Sequence, residues 1–261
     1  MKARDILIYL SLKYEGDYDS IIKAIRTHEP LDSEEVEKVS SSLPFKAVTI
    51  LDDNEYPDSW KHCFKTPLVV FYYGDISLIK YDKKCVSIVG SREASPYGIK
   101  VTKQFARRLA KEKMVVVSGL ARGIDASATE ACIEEKGKAV GILGSGIDVP
   151  YPSSSLSLYE ELKRNGLLLS EYPGKCAPKR ENFPMRNRLI AATGGSLIVG
   201  EAGPKSGTLI TVGYALSLNK DVGCVPYPSG SDSSCNRLIK EGAYLLDDED
   251  DVMSLVGKLG V

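Results

Sequence analysis

Apolar residues fall along this chain in two rhythms. Over residues 1–42 they recur at helical spacing: Ile6, Leu7 and Leu10 share one face, and Ile21, Ile22 and Ile25 another. Asp32-Ser33-Glu34-Glu35 resembles a capping box that opens a third helix. Three short helices bury little alone, so this segment is expected to dock on the rest. Residues 43–80 are transitional, with a turn cluster at Asp52–Pro57, Trp60 as an anchor, and Leu68–Tyr73 reading as an added edge strand. From Cys85 onward, short apolar runs alternate with amphipathic stretches. The runs Val86–Val89, Val115–Ser118, Ala139–Leu143, Leu167–Ser170, Leu197–Gly200, Val222–Val225 and Ala243–Leu245 read as strands. Tyr97–Lys111, Ala126–Lys136, Leu156–Asn165, Leu209–Leu218 and Cys235–Glu241 read as the helices between them. Brief, uniformly apolar strands suit a parallel sheet covered on both faces. The pattern predicts an α/β protein with a Rossmann-like, doubly wound, mostly parallel sheet over 43–261 and a small helical domain over 1–42.

One stretch, Phe183 to Thr208, concentrates the candidate chemistry. It carries Arg186, Asn187, Arg188 and Lys205, two glycine-containing turns, and between them a buried strand, Ser196–Gly200. The turn Gly203-Pro204-Lys205-Ser206-Gly207-Thr208 lies after a strand and before a helix, the place where open α/β sheets bind ligands. Ser206 and Thr208 can cap that helix, leaving its N–H groups to face an anion. Three further strands end in glycine- or serine-rich turns: Gly90-Ser91-Arg92, Ser118–Asp125 with Arg122 inside it, and Gly144-Ser145-Gly146. Backbone N–H groups in such turns can form anion-binding nests. Arg122 suits either an ion pair with Asp125 or a ligand contact; Arg92, with only Glu93 nearby, suits a phosphate. Between Gly174 and Arg188 lie Lys175, Lys179, Arg180, Arg186 and Arg188 against one acid, Glu181. Phe183 among these cations is the arrangement that stacks an unpaired base while the cations track a backbone.

Composition narrows the classes. Hydrophobic residues make up 43% of 261, enough for a proper core, and the formal net charge of −1 means nucleic-acid binding would rest on a local patch. Six cysteines without a C-x-x-C pair and only two histidines argue against a metal site and for reduced thiols in a cytoplasmic protein. No signal-peptide pattern or membrane-length apolar run is present. Gly144-Ser145-Gly146 lacks the third glycine of a dinucleotide fingerprint, and Lys205-Ser206 lacks the Walker spacing. His28 and His62 lie outside the turns, which leaves Glu201 as the candidate acid if the site were catalytic.

The motifs VSIVGSR (86–92), SGLARGID (118–125), SEYP (170–173), FPMRNRLIA (183–191) and EAGPKSGTLIT (201–211) resemble, in order and spacing, the DNA-processing protein A (DprA/Smf) family across about Tyr56 to Asp248. The resemblance implies an extended Rossmann fold that binds single-stranded DNA, forms a homodimer, and helps load the recombinase RecA on strands taken up in natural transformation, with no cofactor or enzymatic activity. Carried over to this chain, it implies DNA contacts by Arg92, Arg180, Phe183, Arg186, Asn187, Arg188, Lys205, Ser206, Gly207 and Thr208; the turns and the basic segment read above add Gly90, Ser91, Arg122 and Lys179 as DNA-binding candidates. Residues 1–42 stand where the family carries a SAM-like helical domain, here shortened, and the winged-helix segment of some members has no counterpart. Ser127, Pro226-Tyr227 and Ser234-Cys235-Asn236 depart from the family pattern without removing a cation or the aromatic. A second reading is a nucleotide-binding enzyme similar to the lysine-decarboxylase-like phosphoribohydrolases, whose glycine-rich turn before a helix is like Gly203–Thr208. In that reading Glu201 would serve catalysis.

Overall fold

The computed structural model describes residues 2–52 and 54–257, so Asp53 of the expected turn and the last four residues of the expected second domain lie outside it. Helices α1 (Ala3–Lys13), α2 (Tyr18–Arg26) and α3 (Ser33–Ser41) come first. Asp32 caps α3 by accepting from the Glu34 and Glu35 N–H groups at 2.8 and 3.1 Å. Leu10, Ile21 and Ala24 form a small cluster of their own, while Leu7 and Ile8 join Phe45, Val69 and Phe71 in the main core.

The chain then enters the sheet through β1 (Lys46–Thr49) and β2 (Val69–Gly74), and continues through β3 (Cys85–Gly90), α4 (Pro96–Lys111), β4 (Val115–Ser118) and α5 (Ile124–Glu134). Next come β5 (Ala139–Ile142), α6 (Leu156–Asn165), β6 (Leu167–Ser170), α7 (Asn182–Thr193), β7 (Ser196–Glu201) and α8 (Thr208–Ser217). The last elements are β8 (Val222–Cys224), α9 (Ser234–Lys240), β9 (Tyr244–Leu245) and α10 (Glu249–Gly257). The sheet order is β1-β2-β6-β5-β4-β3-β7-β8-β9, parallel except where β2 pairs antiparallel with β1 and β6. Its two faces carry separate cores: Ile88, Phe105, Ile124 and Leu168 on one, and Val89, Val117, Leu189 and Val199 on the other. Leu238, Leu255 and Val256 of the last two helices are buried within this chain, and Ile239 is partly buried against the core that holds Leu238.

One expectation is corrected. The run expected as an edge strand is internal: β1, set by pairing Lys46 with Tyr72 and Thr49 with Val69, lies outside β2. Four residues are too few for a period to register, so β1 exists through its partner rather than its own pattern. Helix α7 is not among the helices expected from the sequence; it begins within the basic stretch that ends at Arg188. Pro184 sits in its first turn, where no intrahelical N–H is required, so it does not break the helix. Both sides of α7 are covered, and Arg186 and Arg188 are themselves buried, so no polar face marks the helix in the sequence.

Candidate nucleic-acid interface

Strand β3 is the topological switch: from it the chain winds outward through β4, β5 and β6, then returns to β7 on its other side. Diverging connections at such a point open a crevice at the carboxyl ends of the strands. Here it is a groove of about 900 Å³, walled by the turn after β3, the Ala121–Arg122 turn, the Gly203–Thr208 loop and α7.

Helix α7 sorts the predicted residues by its own period. Phe183, Arg186, Asn187 and Ile190, at i, i+3, i+4 and i+7, line the groove. Glu181, Asn182, Met185 and Arg188 face instead a separate crevice of about 330 Å³ against the α1–α2 turn. Arg188 is therefore not a groove residue. Its side chain is 1% exposed and forms a two-pronged ion pair with Glu171 at 2.5 and 2.7 Å. Its remaining donors reach the Phe64, Lys65 and Met185 carbonyls. Glu171 holds its guanidinium charged, above the usual arginine range despite the burial. Lys179 is also drawn away, to Glu15 at 3.1 Å across the same crevice.

Arg186 forms the floor of the groove rather than a free cation. It is buried, donates through Nη1 to the Gly119 carbonyl at 2.8 Å and to the Ile142 carbonyl, and through Nε to Asn187 Oδ1 at 3.1 Å. A Cβ at position 119 would stand 2.7 Å from the guanidinium, so glycine there admits the arginine to the strand ends. Burial lowers the Arg186 pKa to about 10, against the opposing pull of Asp125. Asp125 lies beneath the turns and accepts from the Gly90 and Gly119 N–H groups at 3.2 and 3.1 Å; burial pushes its carboxyl up. It does not pair with Arg122.

This bonding corrects the expected nests as well. Gly90 N–H is taken by Asp125, Ser91 N–H by the Glu201 carbonyl at 2.8 Å, and Thr208 N–H by Ser206 Oγ at 3.2 Å. Thr208 is buried with its hydroxyl against Ser206, while Lys205 and Gly207 keep N–H groups without a partner among the described residues. Asn187 Nδ2 lies 3.5 Å from the Gly207 carbonyl, linking α7 to this loop.

What remains at the surface of the groove are Arg92, Arg122, Arg180 and Lys205. All four are exposed, and among the described residues none pairs with a carboxylate. They line the same groove as the half-exposed ring of Phe183, over which Arg92 and the buried Arg186 sit with guanidinium carbons 5.5 and 5.8 Å from its centroid. The ring rests on Gly144, where a Cβ would come within 2.8 Å of it. Tyr151, missed in the sequence reading, adds a second ring 5.4 Å from Phe183. Its signal was a Tyr-Pro pair closing the turn after a strand, in reach of the same edge.

Glu201, the candidate acid, is committed to structure. Its carboxylate accepts from Ser95 N–H and Oγ at 2.9 and 2.7 Å and from the Tyr227 hydroxyl at 3.0 Å, fixing the start of α4. Tyr227, one of the departures from the family pattern, is thus part of that clasp. Among the described residues no cluster of His, Cys, Asp and Glu could hold a metal ion, and no helix is long and apolar enough to cross a membrane.

The profile of a family described as DNA recombination-mediator protein A matches residues 47–257. The chain belongs to this family. It is 38% identical to the DNA processing protein DprA of Streptococcus pneumoniae over 213 residues, 80% of this chain and 74% of that protein. The X-ray structure of DprA from the same organism superposes with a TM-score of 0.79 at 32% identity, covering 96% of this chain and 92% of that one. DNA processing protein A from Helicobacter pylori, whose structure concerns its single-stranded DNA binding mode, superposes with a TM-score of 0.73 at 26% identity over 84% and 97% of the two chains. The chain spans about half the length of several curated relatives that it matches.

Proposed function

We propose that this protein binds single-stranded DNA along the groove at the carboxyl edge of its sheet. The observation that carries the reading is the set of four exposed, carboxylate-free cations in one groove with a half-exposed aromatic ring. Arg92, Arg122, Arg180 and Lys205 contact phosphates, assisted by the free N–H groups of Lys205 and Gly207, and one base stacks on Phe183. Stacking accepts any base, so little sequence preference is expected. A duplex buries its base faces and would leave Phe183 without a ligand. The structural relative whose single-stranded DNA binding mode is described supports the same reading.

In its cellular role the protein mediates recombination, presenting the bound strand to RecA as a homodimer. Family membership supports this role. The groove is tested by fluorescence anisotropy with labelled single- and double-stranded oligonucleotides, comparing the parent with Arg92→Glu across a salt series. Single-strand preference that the variant loses supports the reading; equal binding of both forms, or an unaffected variant, overturns it. Mediator activity is tested by whether the protein accelerates RecA assembly on strands precoated with a single-strand-binding protein, and the homodimer by sedimentation equilibrium.

A further inference from the structure

Beyond Phe183 the groove continues into a second cavity of about 320 Å³, at the lower end of the range for small-ligand sites. Gly119, Pro152 and the Ser153–Ser154 turn line this cavity alone, while Arg92, Arg122, Tyr151 and Phe183 line it and the main groove together. Three arginines and no acid line it, which sets its preference for an anion. Its outer surface is unspent. Among the described residues the hydroxyls of Tyr151, Ser153 and Ser154 make no hydrogen bond, whereas the neighbouring buried Ser155 gives its hydroxyl to the Leu120 carbonyl at 2.8 Å. The Tyr151 ring is 43% exposed and inclined at 44° to that of Phe183. Rings so inclined cannot clasp one base between parallel faces; each presents a face to a different base.

We infer that this cavity is a second nucleotide subsite, with a base against the Tyr151 ring. The phosphate that joins it to the base on Phe183 is held by Arg92 and Arg122, which line both cavities. The hydroxyls of Ser153 and Ser154 meet the polar edge of the base. The inference rests on the single-strand reading above, and it makes Tyr151 a binding residue in its own right rather than a prop for Phe183.

The test is the affinity of a labelled twenty-nucleotide oligo-dT for the parent, Tyr151→Ala, Tyr151→Phe, Phe183→Ala and the double alanine variant, each checked for a parent-like melting temperature. Tyr151→Ala is expected to weaken binding about tenfold, within the range of a lost base–aromatic stack. Tyr151→Phe keeps the ring and binds as the parent does. The double variant is weaker than Phe183→Ala by a further factor of about ten, because two independent stacks are lost. A Tyr151→Ala protein that binds as the parent does, a double variant no weaker than Phe183→Ala, or a Tyr151→Phe protein as weak as Tyr151→Ala overturns the second subsite. In each of those cases a binding-competent parent leaves the single-strand reading standing. A parent that binds no single strand overturns both.

Discussion

The salt dependence of binding measures how many cations the groove presents. Neutralising Z phosphates of a single strand releases counterions, with a slope of about −0.7Z in log K against log salt. The four exposed, unpaired cations Arg92, Arg122, Arg180 and Lys205 therefore give a slope of about −2.8. Between 50 and 200 mM salt this is a loss of about 50-fold in affinity. Removing one of them, as in Arg92→Ala, lowers the slope to about −2.1 and the loss to about 20-fold. Lys179 is the internal control, being exposed but paired with Glu15 across a different crevice, so Lys179→Gln leaves the slope where it was. Anisotropy titrations at five salt concentrations resolve these differences. A parent slope near −5 would mean that Arg186, Arg188 and Lys179 also reach the strand, and a Lys179→Gln slope lowered by about 0.7 would place that residue in the groove; either refutes the division made by α7.

Other consequences follow from the same geometry. Phe183→Ala is expected to cost about 1–3 kcal/mol of binding at constant salt while leaving the salt slope unchanged, since a ring and not a charge is lost. Gly144→Ala pushes on that ring from beneath, so its expected signature is weakened single-strand binding with a near-parent melting temperature. Arg188→Gln leaves Glu171 buried without its partner and is expected to cost about 3–5 kcal/mol in urea unfolding. The Asp125 carboxyl, raised by burial, binds its proton more tightly folded than unfolded. Its contribution to stability is thus fully present below the usual aspartate value of about 4 and is lost as pH rises through the raised one. Urea titrations from pH 4 upward should show this fall in the parent relative to Asp125→Asn. Five of the six cysteines are buried, and burial lifts the half-buried Cys176 to about 11, so a thiol reagent at pH 7.5 should find no fast-reacting group until the protein is unfolded.

The sheet was legible because its strands are uniformly apolar and its helices mostly amphipathic, and each signal survives without knowledge of neighbours. Val115–Ser118 and Leu167–Ser170 stand in the structure with the bounds read from sequence. Strand β1 was not legible, since its four residues gain their conformation from Val69–Tyr72 across the pair. The edge carrying the groove was also legible: glycine-rich turns after β3, β4 and β7 stand together wherever such strands are parallel neighbours. What those turns do was less so. Their N–H groups are largely taken by Asp125, Glu201 and Ser206, and a sequence does not state which acceptor lies beneath a turn.

Helix α7 shows where the site reading failed and what would have mended it. Counted as a basic run, Lys179, Arg180, Arg186 and Arg188 are equivalent cations beside an aromatic ring. On a helix, successive residues turn by about 100°, so Arg186 and Arg188 point about 160° apart and cannot track the same backbone. The period places Phe183, Arg186, Asn187 and Ile190 together and sends Arg188 to the opposite side, where Glu171 receives it. Burial then separates the two arginines from the free cations on physical grounds. A guanidinium taken out of water must spend its donors on the protein. Arg186 spends them on strand-end carbonyls and Arg188 on a carboxylate, so each fixes the position of α7. In the proposed reading, phosphate is left to side chains that α7 does not bury, namely Arg92, Arg122, Arg180 and Lys205, all of them on turns and loops that line the same groove as Phe183.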